Sequence, residues 1–294
     1  MELSVIIVSF NVRDYLYQAV ASVTDATVSV ESEIIVVDNC SSDGSPETIG
    51  LQFPNVRVIR NERNIGFGAA CNVGINASTS RFILILNPDT YMEPDAITVA
   101  LGFIKQHPEA GAVGARMVDG NGTFLPESKR GFPSLRTSLF RFTGMHRVFP
   151  RSSFFNAYYL GHLPDNLTGR ADILTGAFMM IRREALEKTG LFDTSFFMYG
   201  EDIDLSWRLV KAGFTNYFVA EARITHFKGK STEKDDRGRM RNFYGAMIIF
   251  ARKHLGKSWQ IPVTAGVRML LAISLTAASF RKAVKKKPVP VKKG

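Results

Sequence analysis

A small set of acids, asparagines and one histidine carries the chemistry open to this chain. Asn87-Pro88-Asp89 follows an apolar run that ends at Leu86. A carboxylate placed there can hold a hard cation, because Mg2+ and Mn2+ prefer oxygen ligands and commonly bridge protein to a diphosphate. The same three residues are ordinary turn formers, and a plain turn also accounts for them. Glu201, Asp202 and Asp204 put three acids within four residues. Crowded carboxylates raise one another's pKa, which would make one of them a usable base near neutral pH. Acids are equally at home in the first turn of a helix, where the macrodipole favours them. Local sequence does not choose between these readings. His226 ends another strand-like run and suits either a metal ligand or a satisfied surface histidine. After it, Gly229 and Ser231 offer a flexible loop of donors for phosphate. Asn64, Gly66 and Gly68 precede a helix, a pattern that brings backbone close to phosphate. Their spacing matches neither the dinucleotide fingerprint nor the P-loop.

These residues need elements to hold them. Leu3–Ser9, Ile34–Val37 and Phe82–Leu86 are continuous apolar runs, as expected of strands buried on both faces. Val56–Ile59 is shorter and alternates. Helix-like segments lie near 13–23, 67–77 and 94–106, so strands and helices alternate as in a doubly wound α/β sheet. Polar residues follow the strands at once: Ser9 and Asn11, Asp38 and Asn39, Asn87 and Asp89. Ligands of open α/β sheets bind outside the carboxyl ends of the strands, so the three clusters should converge on one rim. From about 116 the rhythm breaks. Regular structure is expected again over 172–182, in helices near 202–212 and 239–254, and in a strand at Asn216–Val219. The helix near 202 should turn Ile203, Leu205, Leu209 and Val210 inward.

Composition narrows the partners. The formal charge is +10, but residues 281–294 hold seven Lys/Arg and no acid, leaving 30 basic against 27 acidic groups before them. The excess is mostly a tail, solvated or lying on an anionic surface. Residues 128–151 carry six Lys/Arg, no acid and four phenylalanines. That mixture can bind single-stranded nucleic acid, but no RNA-binding motif accompanies it. A flap over a substrate or membrane-facing site is expected instead, and no nucleic-acid partner. Two cysteines give neither a disulfide framework nor a metal cluster, which fits a reducing, cytoplasmic setting. The chain enters its first strand at Leu3 with no secretion signal in view. Ile261 to Phe280 is apolar, but Pro262, Gly266 and Arg268 argue against a spanning helix. Val267, Leu270, Leu271, Leu275 and Ala278 share one helical face. Either that face lies on an anionic leaflet, with the lysines after it, or it packs on the protein's own core.

Taken in order, the pieces resemble the family 2 glycosyltransferases with a GT-A fold, of the subgroup that includes rhamnosyltransferases and galactofuranosyltransferases. The matching text is Val5-Ile6-Ile7-Val8-Ser9-Phe10-Asn11, Val37-Asp38-Asn39 with Ser41-Ser42-Asp43-Gly44-Ser45, and Asn64-Ile65-Gly66-Phe67 with Asn72. It continues in Leu86-Asn87-Pro88-Asp89, Gly176-Ala177-Phe178-Met179-Met180, Phe192-Asp193, Gly200-Glu201-Asp202-Ile203-Asp204 through Arg208, and His226. The resemblance implies a catalytic domain over 1–255, with a nucleotide-binding half at 1–115 and an acceptor half at 116–255. Residues 256–294 would form a helical extension with a basic tail. It implies that Ser9 and Asp38 hold the donor's nucleoside, with Asn11, Asn64, Gly66, Asn72 and Asn87 also on the donor side. Asp89 and His226 would hold Mg2+ or Mn2+, although Asn87 replaces one carboxylate of the family's Asp-x-Asp. Asp202 would be the general base, and Gly176, Glu201 and Asp204 would lie on the acceptor side. The reaction implied is inverting transfer from a nucleotide-diphosphate sugar, dTDP-rhamnose or a UDP-sugar, to a glycan or lipid-linked hydroxyl at the inner membrane face. A nucleotidyltransferase acting on sugar phosphates, or an inactive sugar-nucleotide-binding module, are the rival readings.

Overall fold

The computed structural model describes residues 1–227 and 236–285; the Gly229–Ser231 donors and the end of the basic tail lie outside them. The first half alternates β1 (Leu3–Ser9), α1 (Arg13–Ala26), β2 (Ser32–Asp38), α2 (Ser45–Gln52), β3 (Arg57–Arg60), α3 (Phe67–Asn76) and β4 (Phe82–Leu86). Next come β5 (Thr90–Met92), α4 (Ala96–Gln106) and β6 (Ala110–Val118). A long excursion carries the short helices α5 (Leu135–Phe142) and α6 (Met145–Val148). The chain returns through β7 (Gly169–Arg170), β8 (Phe178–Arg182), α7 (Arg183–Thr189), α8 (Glu201–Lys211) and β9 (Thr215–His226). It closes with α9 (Asp236–His254) and α10 (Lys257–Lys285).

The sheet runs β3-β2-β1-β4-β8-β6-β9-β5, with β7 beside β9. Strands β1 to β4 are parallel to their neighbours, whereas β8 is antiparallel to both β4 and β6. Since β9 runs parallel to β6, its carboxyl end shares a rim with those of β1, β2 and β4. The start of β8 joins them there. The expected mixed α/β sheet is therefore present, with polar residues of five strands meeting on one edge.

Buried apolar residues alternate between two cores, as side chains of period two must. Leu3, Val5 and Ile7 face α1 and α4, while Ile6 and Val8 face α3, α7 and α8. Gly74 of α3 lies against β1, where a Cβ would come 2.5 Å from Ile6. Close helix–strand packing sets α3 and the loop before it.

Two compact units divide the chain, one of residues 1–194 and 201–231, the other of 195–200 and 232–294. Helix α9 packs with α10 in the second unit, because the two bury a shared face. On α8, Leu205 and Leu209 are buried as expected, but Ile203 and Val210 are only half-buried. Among the described residues, no helix is long and apolar enough to cross a membrane.

Candidate active site

The donor side is built on strand ends. Ser9 and Asp38 are register partners closing β1 and β2, and both side chains are buried. Asp38 Oδ2 accepts the Ser41 N–H at 2.9 Å, but its Oδ1 and the Ser9 hydroxyl have no partner. Beyond the strands the chain turns sharply through Asn11 and Cys40, with φ of 55° and 68°. Asn11 suits such a left-handed turn. Its Oδ1 accepts from the Ser42 N–H at 2.8 Å, so it ties two loops together.

Asn64 Oδ1 accepts the Gly66 N–H at 3.0 Å, shaping the turn before α3. Gly66 opens that helix with φ of 87°, a conformation that favours glycine. Asn39, absent from the expected set, donates to the Gly66 carbonyl and accepts from Asn61, which couples the β2 end to this loop. Asn72, expected on the donor side, is bonded to the backbone of Phe192. Its amide donates to the Phe192 carbonyl at 2.8 Å and accepts the Phe192 N–H at 3.0 Å, so both ends are used in clamping α3 to that segment.

Asn87 is half-buried after β4, and its carbonyl accepts from the Thr90 hydroxyl. The turn it starts delivers Asp89 to the head of β5, opposite His226 at the end of β9. Asp89 is buried, and its Oδ1 lies 3.2 Å from His226 Nε2. His226 Nδ1 is buried with no partner. An oxygen and a nitrogen donor side by side fit two adjacent positions of Mg2+ or Mn2+, with diphosphate and water left to complete the shell. Among the described residues, no group of three or more such ligands exists.

Asp202, expected as the general base, forms a pair that sequence spacing could not foresee. Arg130 Nη2 donates to Asp202 Oδ2 at 2.8 Å and to the Leu174 carbonyl at 3.1 Å. Both side chains are mostly buried. Burial would pull the Arg130 pKa down, but the Asp202 carboxylate and Tyr158 outweigh it and hold it above its ordinary value. Asp202 is also anchored by its own helix, since Oδ1 accepts the Ile203 N–H at 2.8 Å. Beside it Glu201 is buried with Oε2 unpartnered. Burial first, then the Asp202 charge, raise the Glu201 pKa to about 8.

Asp204, expected on the acceptor side, is ion-paired. It is fully buried and bonded to Arg208 at 2.7 Å, and Arg208 in turn donates to the Thr189, Gly190 and Leu191 carbonyls. That network fastens α8 to the end of α7. Gly176 precedes β8 on the rim, where a Cβ would come 2.9 Å from the Phe67 ring. Its role is close packing.

The aromatics of the excursion pack on one another. Phe155 meets Phe140 and Phe149 with ring centroids 4.9 and 4.8 Å apart, and the Arg136 guanidinium lies 4.8 Å above Phe154.

The sequence model of the family described as Glycosyl transferase family 2 matches residues 4–190. The N-acetylglucosaminyl-diphospho-decaprenol L-rhamnosyltransferase of Mycobacterium tuberculosis is 31% identical over 304 residues, covering 97% of this chain and 96% of its own. Among solved structures, S. aureus TarS 1–349 in complex with UDP-GlcNAc aligns with a TM-score of 0.58 at 18% identity, over 91% of this chain and 71% of that one. The mannosyltransferase PcManGT from Pyrobaculum calidifontis, in complex with GDP-Man and Mn2+, aligns with a TM-score of 0.60 at 16% identity. It covers 97% of this chain and 81% of its own.

Proposed function

Because the chain belongs to glycosyl transferase family 2, we propose that it moves a sugar from a dTDP- or UDP-linked donor to a hydroxyl of a lipid-linked acceptor, with inversion. One observation carries the assignment of the site. Of seven buried side-chain atoms without a partner among the described residues, five belong to Ser9, Asp38, Arg130, Glu201 and His226. Buried polar groups in folded proteins are almost always satisfied. A ligand with donors, acceptors and negative charge would satisfy these.

Ser9 and Asp38 then hold the nucleoside, with Asp38 Oδ1 accepting from the pyrimidine N–H. Asp89 and His226 would hold a divalent cation, which would supply charge neutralisation for the departing diphosphate. Asp202 accepts the proton of the acceptor hydroxyl as its oxygen bonds to the anomeric carbon and the nucleoside diphosphate leaves. Arg130 fixes the Asp202 carboxylate in one orientation. Glu201, protonated near neutral pH, adds a hydrogen-bond donor without a second negative charge beside the base. A glycan on a polyprenyl diphosphate suits the basic C-terminal region, and a peripheral position at the cytoplasmic membrane face follows from it.

The test is acceptor-dependent transfer. The full chain is incubated with dTDP-rhamnose, UDP-GlcNAc or GDP-mannose and a detergent-dispersed sugar-diphospho-polyprenol, and the product is followed by mass spectrometry. Transfer from one dTDP- or UDP-sugar is expected. No transfer from any donor, with no shift in melting temperature on adding dTDP or UDP, would reject the reading.

A further inference from the structure

Helix α10 has two apolar faces, and only one is covered. On the inner side Val267 is 5% exposed, and the Ser274 hydroxyl lies 3.0 Å from Tyr244 of α9. Val267 was among the residues expected to meet either lipid or the protein core, and it is occupied within this helical pair. The outer side carries Ile261, Met269 and Ile273, which are 77%, 62% and 57% exposed. At 100° per residue Ala265 and Ala272 fall between them. This face therefore presents an apolar stripe from Ile261 to Ile273, bordered by the exposed Arg268 and closed by Thr276 one turn on, and single-residue scatter does not explain it.

Charge identifies the occupant. Residues 236–285 contain ten Lys/Arg and one Asp. Lys257 precedes the stripe, and Arg281, Lys282 and Lys285 follow it. Trp259, half exposed at the start of the helix, suits the headgroup level of a bilayer. A second copy of the chain would set ten cations against ten. An anionic leaflet takes both the stripe and the charge, with each basic residue near the surface adding about 1 kcal/mol. We propose that the outer face of α10, through Ile261, Met269 and Ile273, seats this enzyme on an anionic lipid surface. The proposal sharpens the lipid-linked acceptor reading and rests on it for its purpose.

Flotation of the full chain tests it directly. Vesicles of phosphatidylcholine with about one-third phosphatidylglycerol should carry the protein upward, and pure phosphatidylcholine vesicles should carry far less. Met269→Ser combined with Ile273→Ser should lower vesicle partition about tenfold or more, with the melting temperature unchanged. Val267→Ala, on the inner face, should lower the melting temperature and leave partition of the folded protein intact. Unchanged partition in the double variant would overturn the proposal. So would a wild-type dimer in vesicle-free solution that the double variant dissolves, since a second copy would then cover the stripe. Flotation uses no donor, so its failure leaves the transfer reading standing, and failed transfer leaves the docking face standing.

Discussion

The two sides of the site are held in different ways. On the donor side, Ser9 and Asp38 are neighbours in register at the ends of two buried parallel strands. Their positions follow from the sheet itself. On the acceptor side, Asp202 opens a helix and meets Arg130, which lies 72 residues earlier in the chain. A sheet fixes atoms through many ladder bonds, while a single ion pair fixes one carboxylate. Damage to the first side should therefore appear as lost donor binding, and damage to the second as lost turnover.

The largest effect is expected where both sides depend on one pair. Chelation should abolish transfer, and Asp89→Ala and His226→Ala should each raise the Mg2+ or Mn2+ concentration needed for half-maximal rate. Rate measurements across a metal titration check this; full activity in excess chelator would return Asn87-Pro88-Asp89 to a plain turn. Next, Arg130→Met should lower turnover at least tenfold and leave the Kd for dTDP or UDP close to wild type. Breaking a buried ion pair costs up to about 3–5 kcal/mol, so the melting temperature should fall as well. In a double-mutant cycle with Asp202→Asn, the combined loss of turnover should equal that of Asp202→Asn alone. Additive losses would detach Arg130 from the base.

A smaller effect belongs to the donor side. Asp38→Asn should weaken binding of dTDP or UDP about tenfold, in keeping with one charge-assisted hydrogen bond of about 1.5–3 kcal/mol. Titration calorimetry reads it. The smallest concerns Glu201. Its pKa is raised from 4.5 to about 8 in the folded chain, so the folded state keeps a proton that the unfolded state has lost. Its contribution to stability is intact below about pH 4.5 and is lost as the pH rises toward 8. Gln is neutral throughout and removes that slope. Glu201→Gln should gain a few degrees of melting temperature over wild type at pH 9, with little gain at pH 5. An equal difference at both would mean that Glu201 is not protonated when folded.

How much was legible in the sequence follows the same division. Leu3–Ser9 and Phe82–Leu86 form strands at the bounds their apolar runs mark, because every residue in them is buried. The polar residues after them fall on one rim because parallel strands share a direction. By contrast β6 escapes notice, since Gly111 and Gly114 dilute its pattern. They are there because a Cβ would come 2.7 Å from Phe214 and 2.9 Å from Leu174. β5 is three residues long with Tyr91 exposed, too short to show a period. The clamping bonds of Asn72 to Phe192 and of Asp204 to Arg208 have no signal in the residue types alone. No local signal marks Arg130 either, since it stands in a run of basic residues.

One measurement bears on the division of labour most directly. Asp202→Asn removes the base and keeps the shape of the side chain. The Kd for the donor nucleotide and the single-turnover rate of transfer should be measured on the same preparation. An unchanged Kd with a rate lowered at least a hundredfold is the predicted result, that being the usual scale for a positioned base. A rate above one-tenth of wild type would contradict the account and pass the role to Glu201.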